Sequence, residues 1–212
     1  MARKARTHYA ILGLVCWKPM SGYDIKKMVE VGLRYFWSES YGQIFPTLNR
    51  LVADGLATKR IDPESGGRRR QVYTATAAGR RAFKTWLRQP TDMPRLRDEL
   101  KLKFFLTSRS ETSEGVRLLE EYRKQQLEHL AILKESEVVF TTALRETAMP
   151  RELLELQKTL DWSESDLTPE QSHELLVFYL TLRSGILVAE ARLAWVEEVL
   201  PLLQAGRFPE TP

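Results

Sequence analysis

The stretch SYGQIFPTLNRLVADGL, residues 40–56, followed by ATKRIDPESGGRRRQVYTAT, residues 57–76, decides the fold. In the first part Ile44, Leu48, Leu51 and Val52 recur at helical spacing, and Gly55 stands where such a helix would stop. Ser40 or Ser38 is placed to cap its start. With the apolar set turned inward, a helical wheel directs Gly42, Gln43, Pro46, Asn49 and Arg50 outward, with Thr47 on the flank. The second part holds two short β-type runs, 56–61 and 71–76, joined by the turn-rich connector 62–67. Arg68, Arg69 and Arg70 fall on the tip and return strand of this hairpin.

Working outward, residues 7–15 place Tyr9, Ile11, Leu12 and Val15 on one helical face, and Pro19 ends that helix. Ser21 caps a second helix with Asp24 three residues on, a short capping box, and Gly32 is a suitable stop near residue 31. After the hairpin, residues 77–87 form a fourth helix whose apolar contacts are Phe83, Trp86 and Leu87. Three helices, a two-stranded wing and a fourth helix describe a winged helix-turn-helix. Its third helix fits a major groove, where Gln and Asn pair with adenine, Arg with guanine, and Thr meets a thymine methyl or a phosphate. The expected DNA-facing set is Ser40, Tyr41, Gln43, Pro46, Thr47, Asn49 and Arg50, with Arg68, Arg69 and Arg70 of the wing and Tyr23 and Lys26 of the preceding helix. A polar outward face is common to any surface helix. Its coincidence with an arginine-rich wing, whose cations repel one another without an anionic partner, is what points to duplex DNA.

The charge is distributed to match. Residues 1–88 carry 17 Lys and Arg against 6 Asp and Glu, while residues 89–212 carry 15 against 22; the formal net charge of +4 conceals a basic half and an acidic half. The single cysteine, Cys16, excludes an intrachain disulfide framework and reads as an inert core thiol. The basic residues Arg3, Lys4 and Arg6 before an apolar stretch imitate a leader, but that stretch is short and lacks a small-residue cleavage site. No segment has the run of apolar residues a membrane span needs, so the expected location is the cytoplasm. His8, His129 and His173 fall in separate helices without metal spacing, and no nucleophile elbow, P-loop or dinucleotide fingerprint is present. The expectation is a protein without catalysis and without a cofactor.

Gln89-Pro90-Thr91-Asp92-Met93-Pro94 marks a linker, giving a winged-helix domain over 1–89 and a helical dimerisation domain over 95–205. The second part is read as a short amphipathic helix at 96–106, a long one from 111 to about 147, a turn or two at 152–160 and a last helix at 169–200 with Pro169 at its start. In the last helix Tyr179, Leu182, Gly185, Ile186, Ala189, Leu193 and Val196 belong to a broad apolar stripe, suited to dimerisation or to an intrachain core. A homodimer also suits a reader helix that covers only one half-site. Trp86, Phe104, Trp162 and Trp195 are candidates for a pocket holding a small aromatic effector, although such residues also serve as plain core.

The motifs Tyr9-Ala10-Ile11-Leu12-Gly13-Leu14, Ser21-Gly22-Tyr23-Asp24-Ile25, the stretch 40–51, Asp54-Gly55-Leu56, residues 69–76 and Gly79-Arg80 together resemble the PadR family of regulators. The resemblance covers 7–88 in residues and in spacing. Phe45 stands where that family commonly has Tyr, and Ala75 where Leu is usual; the first change removes a hydroxyl that could touch a phosphate. Residues 97–105 and Trp195-Val196-Glu197-Glu198 are similar, more weakly, to the helical region of the longer, virulence-activator-like members. The resemblance implies a homodimer binding an inverted-repeat operator, most often as a repressor, with a phenolic or multidrug-like ligand in some members. The alternative is a winged helix used only for protein interaction, an expectation that salt-sensitive duplex binding would exclude.

Overall fold

The computed structural model describes residues 3–33, 41–62, 70–91, 97–146, 151–160, 162 and 167–206. The chain divides into two compact units, one formed by Met1–Met93 with Arg151–Asp166, the other by Pro94–Pro150 with Leu167–Pro212.

The first unit begins with α1 (Arg3–Trp17), β1 (Met20–Ser21) and α2 (Gly22–Met28). Ser21 caps α2 through the anticipated box: its Oγ accepts from Asp24 N at 3.2 Å, and its backbone N donates to Asp24 Oδ2 at 2.8 Å. The expected stop at Gly32 is not used as such. The helix widens into a π turn, Val29–Leu33, that contains this glycine. A 3₁₀ turn, Tyr41–Gln43, leads into α3 (Ile44–Ala53), whose N-cap is Gln43 and makes no side-chain capping bond. Ser38 and Ser40, the caps expected from sequence, lie outside the described residues.

The wing comprises β2 (Ala57–Asp62) and β3 (Arg70–Ala75), and α4 (Ala77–Leu87) follows. The sheet has three strands in the order β1-β3-β2, all antiparallel, with Met20 opposite Tyr73 and Lys59 opposite Tyr73 on the other side. The two-residue β1 escaped the sequence reading because no alternation can register in so short a run. Its pairing makes β3 the central strand and ties the wing base to the start of α2. Leu12, Val15, Met20, Ile25, Met28, Leu48, Leu51 and Tyr73 are all at most 1 % exposed and form the core around which α1, α2 and α3 close.

One turn holds the wing to α3. Gly55 adopts φ +69°, the left-handed region in which a side chain is strained. Leu56 N then donates to Leu51 O at 2.8 Å, and Leu56 O accepts from Thr76 N at 3.0 Å. Thr76 caps α4 by accepting from Gly79 N at 3.0 Å, while its hydroxyl donates to Gly55 O at 2.8 Å.

A 3₁₀ turn at Arg151–Leu153 and α7 (Leu154–Leu160) also belong to the first unit, where α7 packs against α2 and buries Leu153, Gln157, Leu160 and Trp162. This differs from the expected consecutive domains, 1–89 and 95–205. A returning segment leaves no signature in composition, because its burial depends on a partner more than 120 residues earlier in the chain.

The second unit is helical: α5 (Glu99–Leu106), α6 (Thr112–Glu146) and α8 (Pro169–Ala205). Thr168 and Gln171 form a reciprocal capping box before Pro169, and α8 ends at Gly206 with φ +60°. The long helices α6 and α8 pack along each other around Leu119, Leu133, Phe140, Leu175, Leu182, Ile186 and Val196. Arg183–Glu137 at 2.8 Å, Lys134–Glu190 at 2.8 Å and Arg123–Glu197 at 2.6 Å bridge them at the rim, where each pair contributes little.

Candidate nucleic-acid interface

The outward face of α3 carries the polar groups expected there. Ile44, Leu48 and Leu51 are buried, which rotates Gln43, Pro46, Asn49 and Arg50 into solvent and leaves Thr47 half-buried on the flank. Among the described residues neither Gln43 nor Asn49 makes a side-chain hydrogen bond. Arg50 has only a loose approach to Asp54, Nε to Oδ2 at 3.7 Å, with both groups exposed. Two amide side chains without intrachain hydrogen bonds and one loosely paired guanidinium are thus presented on one face at α3.

Phe45 shares this surface and was not singled out as a contact residue from sequence. It is 56 % exposed, and its ring covers Gly22 so closely that a Cβ there would lie 2.5 Å from the ring edge. The phenyl ring therefore sets the spacing between the first turn of α2 and the reader helix. Tyr23 is 62 % exposed on α2, with Lys27 Nζ 5.1 Å from its ring centroid. Lys26 is partly drawn toward Glu30 at 3.8 Å.

The wing contributes exposed Lys59 and Arg60 on β2 and Arg70 on β3. Arg70 is not simply offered to solvent. Its Nη2 donates to Asp24 Oδ2 at 2.6 Å, the oxygen that also accepts from the Ser21 hydroxyl at 2.8 Å. Arg70 is therefore a brace between the tip end of the wing's return strand and the cap of α2, a role hidden in sequence by a separation of 46 residues. Arg68, Arg69 and Ser40 lie outside the described residues, as does the side chain of Tyr41.

Asp24 is at the centre of this brace. Burial alone would raise its carboxyl, but the Ser21 backbone N–H, the Arg70 guanidinium and the Ser21 hydroxyl together carry it below the ordinary 3.8. A depressed carboxylate contributes stability above its unfolded value and loses it as pH falls through the folded value. Asp24→Asn is accordingly expected to lower unfolding stability by roughly 1–2 kcal/mol near neutral pH. In thermal melts the gap from wild type should be the same at pH 7 and pH 5 and narrow only below about 3.8. A gap independent of pH down to the acid limit would contradict this role.

The four aromatic residues expected to line a pocket fall into different surroundings. Trp86 lines an apolar cavity of about 210 Å³ in the first unit with Tyr9, Gly13, Trp17 and Phe83, and stacks on Tyr9 at 5.1 Å between centroids. Trp162 is buried in that unit beside α7. Phe104 and Trp195 belong to the second unit and meet edge-to-face at 6.1 Å. The partners of Trp86 are thus α1 residues and Phe83 of its own helix rather than the other three candidates. Cys16 is half-buried; burial raises its thiol against the opposing Arg80 charge, in keeping with an unreactive group.

The stripe expected to dimerise is largely spent within the chain. Leu182, Ile186, Ala189 and Val196 are at most 1 % exposed in the α6–α8 contact, and Tyr179, Gly185 and Leu193 are half-buried. The apolar residues that α8 leaves uncovered are Leu176, Val177, Leu180, Leu187 and Val188, each between 40 % and 56 % exposed. They lie on the opposite side of the helix, so α8 is apolar on two faces. Among the described residues no helix is long and apolar enough to cross a membrane, and no cluster of side chains suits a metal ion.

Comparison with known proteins agrees with this geometry. Residues 11–85 match the profile of the transcriptional regulator PadR-like family, and residues 96–204 match that of the virulence activator alpha C-terminal region. The negative transcriptional regulator PadR of Bacillus subtilis is 35 % identical over 101 residues, 47 % of this chain and 56 % of that regulator. Its crystal structure with operator DNA superposes with a TM-score of 0.70 at 25 % identity, covering 93 % of this chain and 99 % of that one. Its complex with p-coumaric acid gives 0.67 at 26 % identity, covering 96 % and 98 %. The virulence activator AphA of Vibrio cholerae gives 0.70 at 27 % identity, covering 93 % and 98 %. These relatives regulate transcription and are not enzymes. With its winged-helix unit and its helical C-terminal region both matched, this chain belongs to the PadR-like family of transcriptional regulators, in the branch that carries the virulence-activator type of C-terminal region.

Proposed function

We propose that this protein is a homodimeric repressor that reads an inverted-repeat operator in duplex DNA with α3, working in the cytoplasm. The observation that carries the reading is the outward face of α3, where Gln43, Asn49 and Arg50 have no strong intrachain partner and lie beside a cationic wing. Unpaired amides and a loosely held guanidinium on a helix narrow enough for a major groove form a base-reading surface. The B. subtilis relative, seen with operator DNA, supports the same use here. Footprinting on the protein's own promoter tests it: two protected half-sites of inverted sequence, about one or two helical turns apart, are expected. A single unsymmetrical footprint would contradict the dimeric reading.

The second apolar face of α8 supports dimerisation. Leu180 and Leu187 sit near the middle of that face, 56 % and 55 % exposed. Association through it would place like residues of two copies against each other, as a two-fold interface requires. Leu180→Asp combined with Leu187→Asp is expected to yield a monomer by sedimentation, with far-ultraviolet dichroism unchanged because neither side chain enters the α6–α8 core. Leu182→Ala, by contrast, should lower stability without changing assembly at equal folded fraction. Retention of the dimer in the double variant would move the interface elsewhere.

The cavity at Trp86 is the place this reading assigns to a small aromatic effector. Its lining is almost wholly apolar and aromatic, and planar rings stack well on such walls. The binding of p-coumaric acid by the B. subtilis relative supports a ligand of that general class.

A further inference from the structure

The helical unit has its own concave cavity, about 620 Å³, walled by the start of α5 and by parts of α6 and α8. Arg97, Arg192, Tyr122 and Gln126 face it, with Leu100 and Leu118 as its apolar lining. Two features of this wall are left unanswered by the protein's own contacts. Gln126 is only 8 % exposed, yet its Oε1 accepts no hydrogen bond among the described residues. A buried acceptor in that condition is rare in folded proteins and calls for a partner from outside. Arg97 and Arg192 likewise enter no ion pair or hydrogen bond among the described residues.

The carboxylates of the same wall are already engaged. Asp98 Oδ1 caps α5 by accepting from Lys101 N at 3.1 Å, and its Oδ2 lies 3.5 Å from Lys101 Nζ. Glu99 is 2.6 Å from Lys103 Nζ, and Glu121 Oε1 accepts from Gln125 Nε2 at 3.0 Å. The groups without a bonded partner among the described residues are thus two guanidinium forks, one phenol and one buried carbonyl, although the Arg192 charge already acts on Asp98 and Tyr122.

We propose that this cavity binds a small organic anion, a carboxylate or phosphate that also carries an N–H or O–H donor. The guanidinium groups of Arg97 and Arg192 match the planar oxygens of such an anion. The Tyr122 hydroxyl adds a donor, since burial raises its phenol and keeps it protonated. Leu100 and Leu118 pack on the ligand's carbon frame, and Gln126 Oε1, sealed from solvent in the free protein, meets the ligand's donor once its side chain turns toward the cavity. The volume lies within the range of ordinary small-molecule sites. The inference rests on the helical unit alone and stands whether or not α3 reads DNA.

Calorimetric titration of the full-length protein with malate, citrate and inorganic phosphate, none of them aromatic, tests it, with uncharged malamide as control. Saturable binding of at least one of the three anions, one per chain, is expected, and comparison among them separates carboxylate from phosphate. The control should bind at least about tenfold more weakly, as should the preferred anion to Arg192→Gln. Gln126→Leu should weaken binding similarly while leaving the melting temperature unchanged or higher, because it removes an unsatisfied acceptor; a merely structural glutamine would destabilise the protein when lost. Trp86→Ala, in the other unit, should leave anion affinity unchanged. No saturable heat at millimolar concentrations of any of the three, or equal affinity in Arg192→Gln, would overturn the proposal. Conversion of the assembly to monomer by Arg192→Gln, without anion binding in the wild type, would show a second copy of the chain filling the groove instead.

Discussion

Gly79→Ala should destabilise the winged-helix unit by roughly 3 kcal/mol or more, a loss outside the usual range for an exposed helical position. Glycine in a helix is ordinarily the weaker choice, so alanine would be expected to help. The geometry reverses that expectation. A Cβ at residue 79 would fall on the carbonyl oxygen of Leu56, well inside contact distance, with the Leu12 side chain 3.3 Å away on the other side. The carbonyl cannot retreat, because it accepts from Thr76 N and its own residue's N–H is bonded to Leu51 O. Relief must come from moving α4 off the turn, which would break the Thr76 cap and open the joint between α3 and the wing. Thermal melts should show the transition of this unit lowered by roughly 10–20 °C. A change of less than about 2 °C would mean that α4 shifts freely, and the rigid-joint account would fall.

The second large effect concerns reading rather than folding. Gln43→Ala with Asn49→Ala removes two exposed amides that bond to nothing within the described residues, so stability should hold within about 0.5 kcal/mol. Operator affinity should fall by roughly one and a half to four orders of magnitude, since each of the two base contacts discriminates by about 1–3 kcal/mol. Affinity for a scrambled duplex and the dependence on salt should stay the same. Arg69→Ala is expected to do the opposite, weakening binding to every sequence and reducing the salt slope by about one. If both variants lost discrimination equally, base reading and phosphate holding would not be divided between α3 and the wing in this way.

Much of the first unit was legible because its signals are local. The capping box at Ser21 and Asp24, the turn at Gly55 and the apolar phase of 44–52 each act within four residues of one another. What stayed hidden depends on pairing across the chain. The brace between Asp24 and Arg70, the strand Met20–Ser21 against β3, and α7 returning to α2 all lack a periodic trace. Arg70 shows the consequence: composition groups it with Arg68 and Arg69 as a phosphate contact, whereas its bond to Asp24 makes it first a structural brace.

The apolar stripe of α8 left two readings open for a related reason. Periodicity shows that a face is buried but not against which neighbour. The residues with the cleanest spacing, Leu182, Ile186 and Val196, were claimed by α6, and the partner-facing candidates are Leu176, Leu180 and Leu187 on the opposite side. The aromatic candidates divided in the same manner, since Trp86 found its neighbours on α1 and Phe104 found Trp195. For the outward side chains of α3 the wheel was sufficient, because exposure on one helix follows from the burial of three residues on that same helix.

Fluorescence anisotropy of the full-length protein on labelled DNA from its own promoter, beside a scrambled duplex and at two salt concentrations, tests the central claim most directly. The account predicts affinity of roughly 10 nM or tighter for the promoter, far weaker binding to the scrambled duplex, and a steep loss of both with added salt. Absence of binding to either duplex at low salt would contradict it and leave the winged helix as a protein-interaction module.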